Sequence, residues 1–69
     1  MKQRYEKGER FTMTEAALEN YGEDHRGKVY AVDARYTDDH QGFDSNGGPY
    51  IYDIKGLNFS LYPYEMRAV

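Results

Sequence analysis

The sequence has no cysteine, no tryptophan and only two prolines. Without cysteine there is no disulfide staple and no thiolate metal site. Any imidazole ligand would have to be His25 or His40, the two histidines present. No apolar run approaches the ~18 residues of a membrane-spanning helix, so no membrane role is expected. The opening residues Met1-Lys2-Gln3-Arg4-Tyr5-Glu6 lack the apolar core of a secretory signal. A chain with neither cysteine nor signal reads as cytoplasmic, and one that begins on Met1 reads as a complete small gene product. A basic excess is missing as well. Nine Lys and Arg stand against twelve Asp and Glu, for a net charge of −3. That balance disfavours a dedicated nucleic-acid binder.

What is present is aromatic. Eight Tyr and three Phe sit in 69 residues. A chain this short makes one domain and buries only about 60% of its unfolded surface, so its core must be built from large rings. Tyr suits that task, because the ring buries area while the hydroxyl stays wet.

Residues 1–8 are polar and read as a lead-in. Residues 9–14 alternate, with Phe11 and Met13 on one face and Arg10 and Thr12 on the other, as in a half-buried strand. A short helix is expected from Thr14 to Gly22. Thr14 caps it, Glu15 complements the dipole, Ala16, Ala17 and Leu18 favour it, and Gly22 supplies the exit. Leu18 and Tyr21 are placed to face the core together. Residues 23–26 form a charged surface link.

The longest strand signal is Gly27-Lys28-Val29-Tyr30-Ala31-Val32-Asp33-Ala34-Arg35-Tyr36. Tyr30, Val32, Ala34 and Tyr36 share one parity and are expected inward or at the rim. Val29 falls on the polar parity, which predicts a bulge or corner near residues 27–30. Residues 37–49 are turn formers, and so long a connection in a compact domain is usually functional. Tyr50-Ile51-Tyr52-Asp53-Ile54 reads as a strand, a turn follows at residues 55–58, and residues 58–62 pair back with Phe59 and Leu61 inward. Pro63 ends that strand, a 3₁₀ turn spans residues 62–66, and a last short strand closes the chain.

This order of strand, short helix, long strand, loop, hairpin, 3₁₀ turn and terminal strand resembles that of a small SH3-like barrel. Three stretches carry the likeness: Lys7-Gly8-Glu9-Arg10-Phe11, Gly27-Lys28-Val29-Tyr30-Ala31-Val32, and Phe59-Ser60-Leu61-Tyr62-Pro63-Tyr64-Glu65-Met66. The resemblance implies a mainly β, five-stranded barrel with one short helix inserted after the first strand. KOW-type nucleic-acid modules share the layout, but lack this inserted helix and an acidic balance. In size, charge and style the chain also resembles the small open reading frames of phages and prophages. Many of those are uncharacterised, and some block host defence systems.

Reactive chemistry finds little support in these residues. Asp38, Asp39, His40 and Asp44 are close in sequence, yet their spacing matches no calcium loop. Ser45, His40 and Asp38 could be written as a catalytic set, but all lie on one loop with no rigid element to fix their geometry. No enzymatic activity, metal or cofactor is expected. Binding fits better. The expected contact surface is Asp38, Asp39, His40, Phe43 and Asp44 with Tyr50, Tyr62 and Tyr64 exposed beside them. The acidic loop would meet a basic surface on a host protein. The plainer alternative has the rings simply capping the barrel ends. A nucleic-acid module would use the tyrosines for stacking and Lys28, Arg35, Lys55 and Arg67 for phosphates. Lys28 and Arg35 fall on opposite faces of one strand, so no basic stripe is expected. Edge strands leave a homodimer open to either function.

Overall fold

A computed structural model describes residues 2, 4–37 and 48–69. The alternation around Phe11 and Met13 forms β1, Arg10–Met13. Thr14 then turns the chain into α1, Glu15–Tyr21, and its Oγ1 accepts the Ala17 N–H at 3.4 Å. The same hydroxyl donates to the Tyr64 carbonyl at 2.9 Å, which ties the helix start to the end of the chain. Gly22 leaves α1 at φ 117°, a left-handed-side conformation that L side chains rarely adopt. Seven residues make no stable helix alone. α1 persists because Ala17 and Leu18 are buried in the core. The charged link contains a 3₁₀ turn, Glu23–His25, fastened by Arg26, which pairs bidentately with Glu15 at 2.7 and 3.0 Å and also with Glu23.

The remaining strands are β2, Val29–Thr37; β3, Tyr50–Ile54; β4, Ser60–Leu61; and β5, Met66–Ala68. A 3₁₀ turn at Pro63–Glu65 joins the last two. All five form one antiparallel sheet in the order β4-β3-β2-β1-β5. The fold is thus mainly β, five-stranded, with one helix after the first strand, as the sequence implies. The ladder is not closed between the edge strands β4 and β5.

Two expectations need correction. The bulge lies at Asp33, where the register with β3 slips between Val32 and Ala34, and not near residues 27–30. One extra residue reverses the parity of everything beyond it. Arg35 therefore faces inward opposite the fully buried Tyr52, and Tyr36 turns outward at 52% exposure. Tyr21 is a smaller departure. It sits at the surface and stacks on Phe59, with ring centroids 4.0 Å apart.

The second correction concerns the polar lead-in. Tyr5 is fully buried and belongs to the core with Phe11, Val32, Tyr52, Ile54 and Leu61. Its ring meets Phe11 and Tyr52 edge-on, at 6.2 and 5.5 Å. Such pairs contribute about 0.5–1.5 kcal/mol each beyond the buried area. Both backbone groups of Tyr5 are bound by side chains. Its N–H donates to Tyr52 Oη at 2.8 Å, and its carbonyl accepts from Arg35 Nη1 at 3.0 Å. The following turn is fixed by Gly8, whose N–H donates to the Val32 carbonyl at 2.8 Å. Burial, ahead of the Glu9 charge, pushes the Tyr5 hydroxyl above its usual 10.0, and burial does the same to Tyr52. Both rings therefore enter the core neutral.

The two hydroxyls differ in role. Tyr5 Oη is buried without a hydrogen-bond partner among the described residues, whereas Tyr52 Oη accepts a buried amide. Tyr5→Phe should leave stability unchanged or raise it by about 1 kcal/mol, and Tyr52→Phe should cost about 1–3 kcal/mol by orphaning the Tyr5 N–H. Urea unfolding of both chains measures this. A larger loss for Tyr5→Phe would contradict it.

Candidate functional site

The Tyr62-Pro63-Tyr64-Glu65-Met66 segment builds one wall of an open groove on the surface. Proline fixes the first position of the 3₁₀ turn, where no N–H is needed. Three positions beyond Tyr62, Glu65 folds its carboxylate back under the turn. It is 2% exposed. Its two oxygens accept from the Tyr62 N–H at 3.0 Å and from Asn20 Nδ2 at 3.1 Å, while its carbonyl accepts the Thr14 N–H at 3.1 Å. A buried carboxylate is tolerated only when it is satisfied in this way. One residue thus locks α1, the turn and the start of β5 together. With the turn fixed, the Tyr62 and Tyr64 rings stack at 6.3 Å with an interplanar angle of 15°.

Beside this turn lies an open groove of about 260 Å³. Its floor and walls come from Tyr5, Pro63, Tyr64, Met66 and Ala68, with the cations Lys2 and Arg67 at the rim. Lys2 is tied to Glu9, whose carboxyl that contact holds below the usual carboxylate range, and it lies 5.3 Å above the Tyr5 ring centroid. The groove runs along β5, an edge of the sheet.

Of the residues expected at the contact surface, Asp38, Asp39, His40, Phe43 and Asp44 lie outside the described residues, as does the Ser45 of the catalytic set. Tyr50, Tyr62 and Tyr64 are described, and all three are half-buried rather than freely exposed. They divide between two places. Tyr64 lines the groove, and Tyr62 stacks on Tyr64. Tyr50 sits among cations, with the Arg35 and Arg4 guanidinium carbons 5.1 and 5.9 Å from its ring centroid. Both arginines also bind Glu6, at 2.9 and 3.0 Å, and hold its carboxyl below the ordinary range.

Tyr5, Glu65 and Met66 were not expected at a site. The usable signal for Glu65 was its position three residues after Tyr62 across a proline, where a side chain can return to the turn's first amide. Among the described residues, no group of three metal-ligating side chains converges, and no helix is long and apolar enough to cross a membrane. No protein-family model, curated protein or solved structure significantly matches the chain.

The Glu65 lock gives a clear expectation. Glu65→Ala removes the acceptor of the Tyr62 N–H and of the Asn20 amide and should cost about 2–3 kcal/mol, whereas Glu65→Gln keeps an acceptor and should cost less. Chemical denaturation separates the two, and equal losses would contradict the assignment.

Proposed function

We propose that the protein is a non-enzymatic protein-binding module whose contact site is the groove between the Tyr62–Tyr64 turn and β5. The observation that carries this reading is a pair of stacked tyrosines on a buried, hydrogen-bonded support, next to an apolar groove at an open sheet edge. Rigid tyrosines lose little conformational freedom on binding and concentrate at protein interfaces. An edge strand also offers unpaired backbone groups to an incoming segment.

The partner in this proposal is a host protein and the module a phage or prophage accessory protein that engages or inhibits it. That part rests on the chain's size, charge and style. The KOW-like alternative is weaker, because the chain carries a net charge of −3 and, of the cations it would use, Arg35 is already matched by Glu6.

The test compares proteins retained from host lysate by the wild-type chain and by Ala68→Arg. Ala68 is exposed and lines the groove, so the long side chain should fill it without touching the core. The proposal expects a discrete set retained by the wild type and lost by Ala68→Arg, with matching circular-dichroism spectra. Identical retention by both chains would refute the groove as the contact site.

A further inference from the structure

The outward side of the sheet has a character that no single strand reveals. Phe11 and Met13 are buried, so alternation places Arg10 and Thr12 on the opposite face of β1. Cross-strand register then sets their neighbours. Arg10 lies opposite Ala31, and Thr12 lies between Val29 and Arg67. The row through Arg10 extends at both ends. The Val69 N–H donates to the Arg10 carbonyl at 3.5 Å, and the Lys55 N–H donates to the Ala31 carbonyl at 3.0 Å. One face therefore collects Arg10, Lys55 and Arg67 around Val29, Ala31 and Val69. Val29 is 51% exposed and Val69 75%.

Among the described residues, no carboxylate pairs with the charges on this face. Arg10, Lys55 and Arg67 are exposed, and none has an ion-pair partner among the described residues. Glu15 feels the Arg67 charge, but its carboxylate is already held by both terminal nitrogens of Arg26. Asp33 bounds the face at the bulge and is the acidic residue next along β2. A chain of net charge −3 thus carries, on β1, β2 and β5, a cationic and aliphatic face whose charges have no ion-pair partner among the described residues.

We propose that this face docks an acidic segment of a partner protein. Arg10, Arg67 and Lys55 would meet its carboxylates, and Val29, Ala31 and Val69 would cover its apolar side chains. Charge complementarity selects an acidic partner and speeds its approach. The exposed ring on this side of β2, Tyr36, lies past the bulge and away from these cations, while the exposed valines beside them suit apolar side chains, so protein is favoured over single-stranded nucleic acid. The proposal rests on the protein-binding reading but uses a surface separate from the groove apart from Arg67. Ala68→Arg tells the two apart, because it should leave binding at this face in place.

The experiment titrates the isotope-labelled full chain with a short peptide of alternating Glu and Val. Controls are a Lys and Val peptide and mixed-sequence single- and double-stranded oligonucleotides. The expected result is amide shifts centred on Arg10, Thr12, Val29, Ala31 and Arg67 with the acidic peptide alone, weakening as salt is raised. Arg10→Glu combined with Arg67→Glu should lower that affinity about tenfold with the fold intact. If that chain does not fold, Arg10→Gln with Arg67→Gln takes its place, and a loss of affinity is again expected. Absent shifts, shifts centred elsewhere, unchanged affinity in the variant, or tighter binding of an oligonucleotide would each overturn the proposal. So would a dimer forming without peptide whose interface covers these residues, because a second copy would then be the occupant.

Discussion

The buried docking of Tyr5 is the constraint on which the rest of this small structure depends. The ring completes an aromatic cluster with Phe11 and Tyr52, and the backbone on either side of it is bound by Tyr52 and Arg35. A peptide unit buried without partners would cost several kcal/mol, so the ring could not enter the core without those two bonds. The bulge at Asp33 makes the Arg35 bond possible. Without the extra residue, Arg35 would face outward and Tyr36 would take its place. Core packing, strand register and the position of the N-terminal segment are therefore one coupled solution.

That solution also positions the surfaces proposed for binding. Tyr5 lines the groove beside β5 and the Pro63–Glu65 turn, so the residue that completes the core also borders it. Glu65 performs the corresponding task on the other wall, where one buried carboxylate holds the tyrosine-bearing turn against α1. Stiff support of this kind lowers the entropy lost when a partner segment is ordered on the surface. The outward face has a different origin. It arises from register alone, as Arg10 and Arg67 are brought together across β1 and β5 from distant parts of the sequence.

Local signals in the sequence announce most of the fold. Thr14, the alanines and Gly22 specify α1, and the Tyr50–Ile54 strand and the turn at Pro63 appear where residue type alone puts them. What stays hidden is non-local. Tyr5 is a lone aromatic among charged residues, with no periodicity to mark it, and its hydrogen-bond partner Tyr52 is 47 residues away. The bulge is hidden because Asp33 and Arg35 are both polar, so a reversal of parity between them leaves no trace in the hydrophobic pattern. The cationic face escapes parity reasoning for a related reason. Its charges come from different strands and the Lys55 turn, so none of these segments shows a basic stripe by itself. Of the expected site, Tyr62 and Tyr64 were legible as ring-rich turn residues, while Glu65 beneath them was marked only by its spacing from Tyr62.

The most direct measurement of the central claim is native-state hydrogen exchange at the Tyr5 amide. If Tyr5 is a core residue held by Tyr52, its N–H should exchange only through global unfolding, at the rate of core-strand amides such as Val32. Exchange as fast as that of an unprotected chain end, with the core strands still protected, would show that the segment frays independently and would contradict the account.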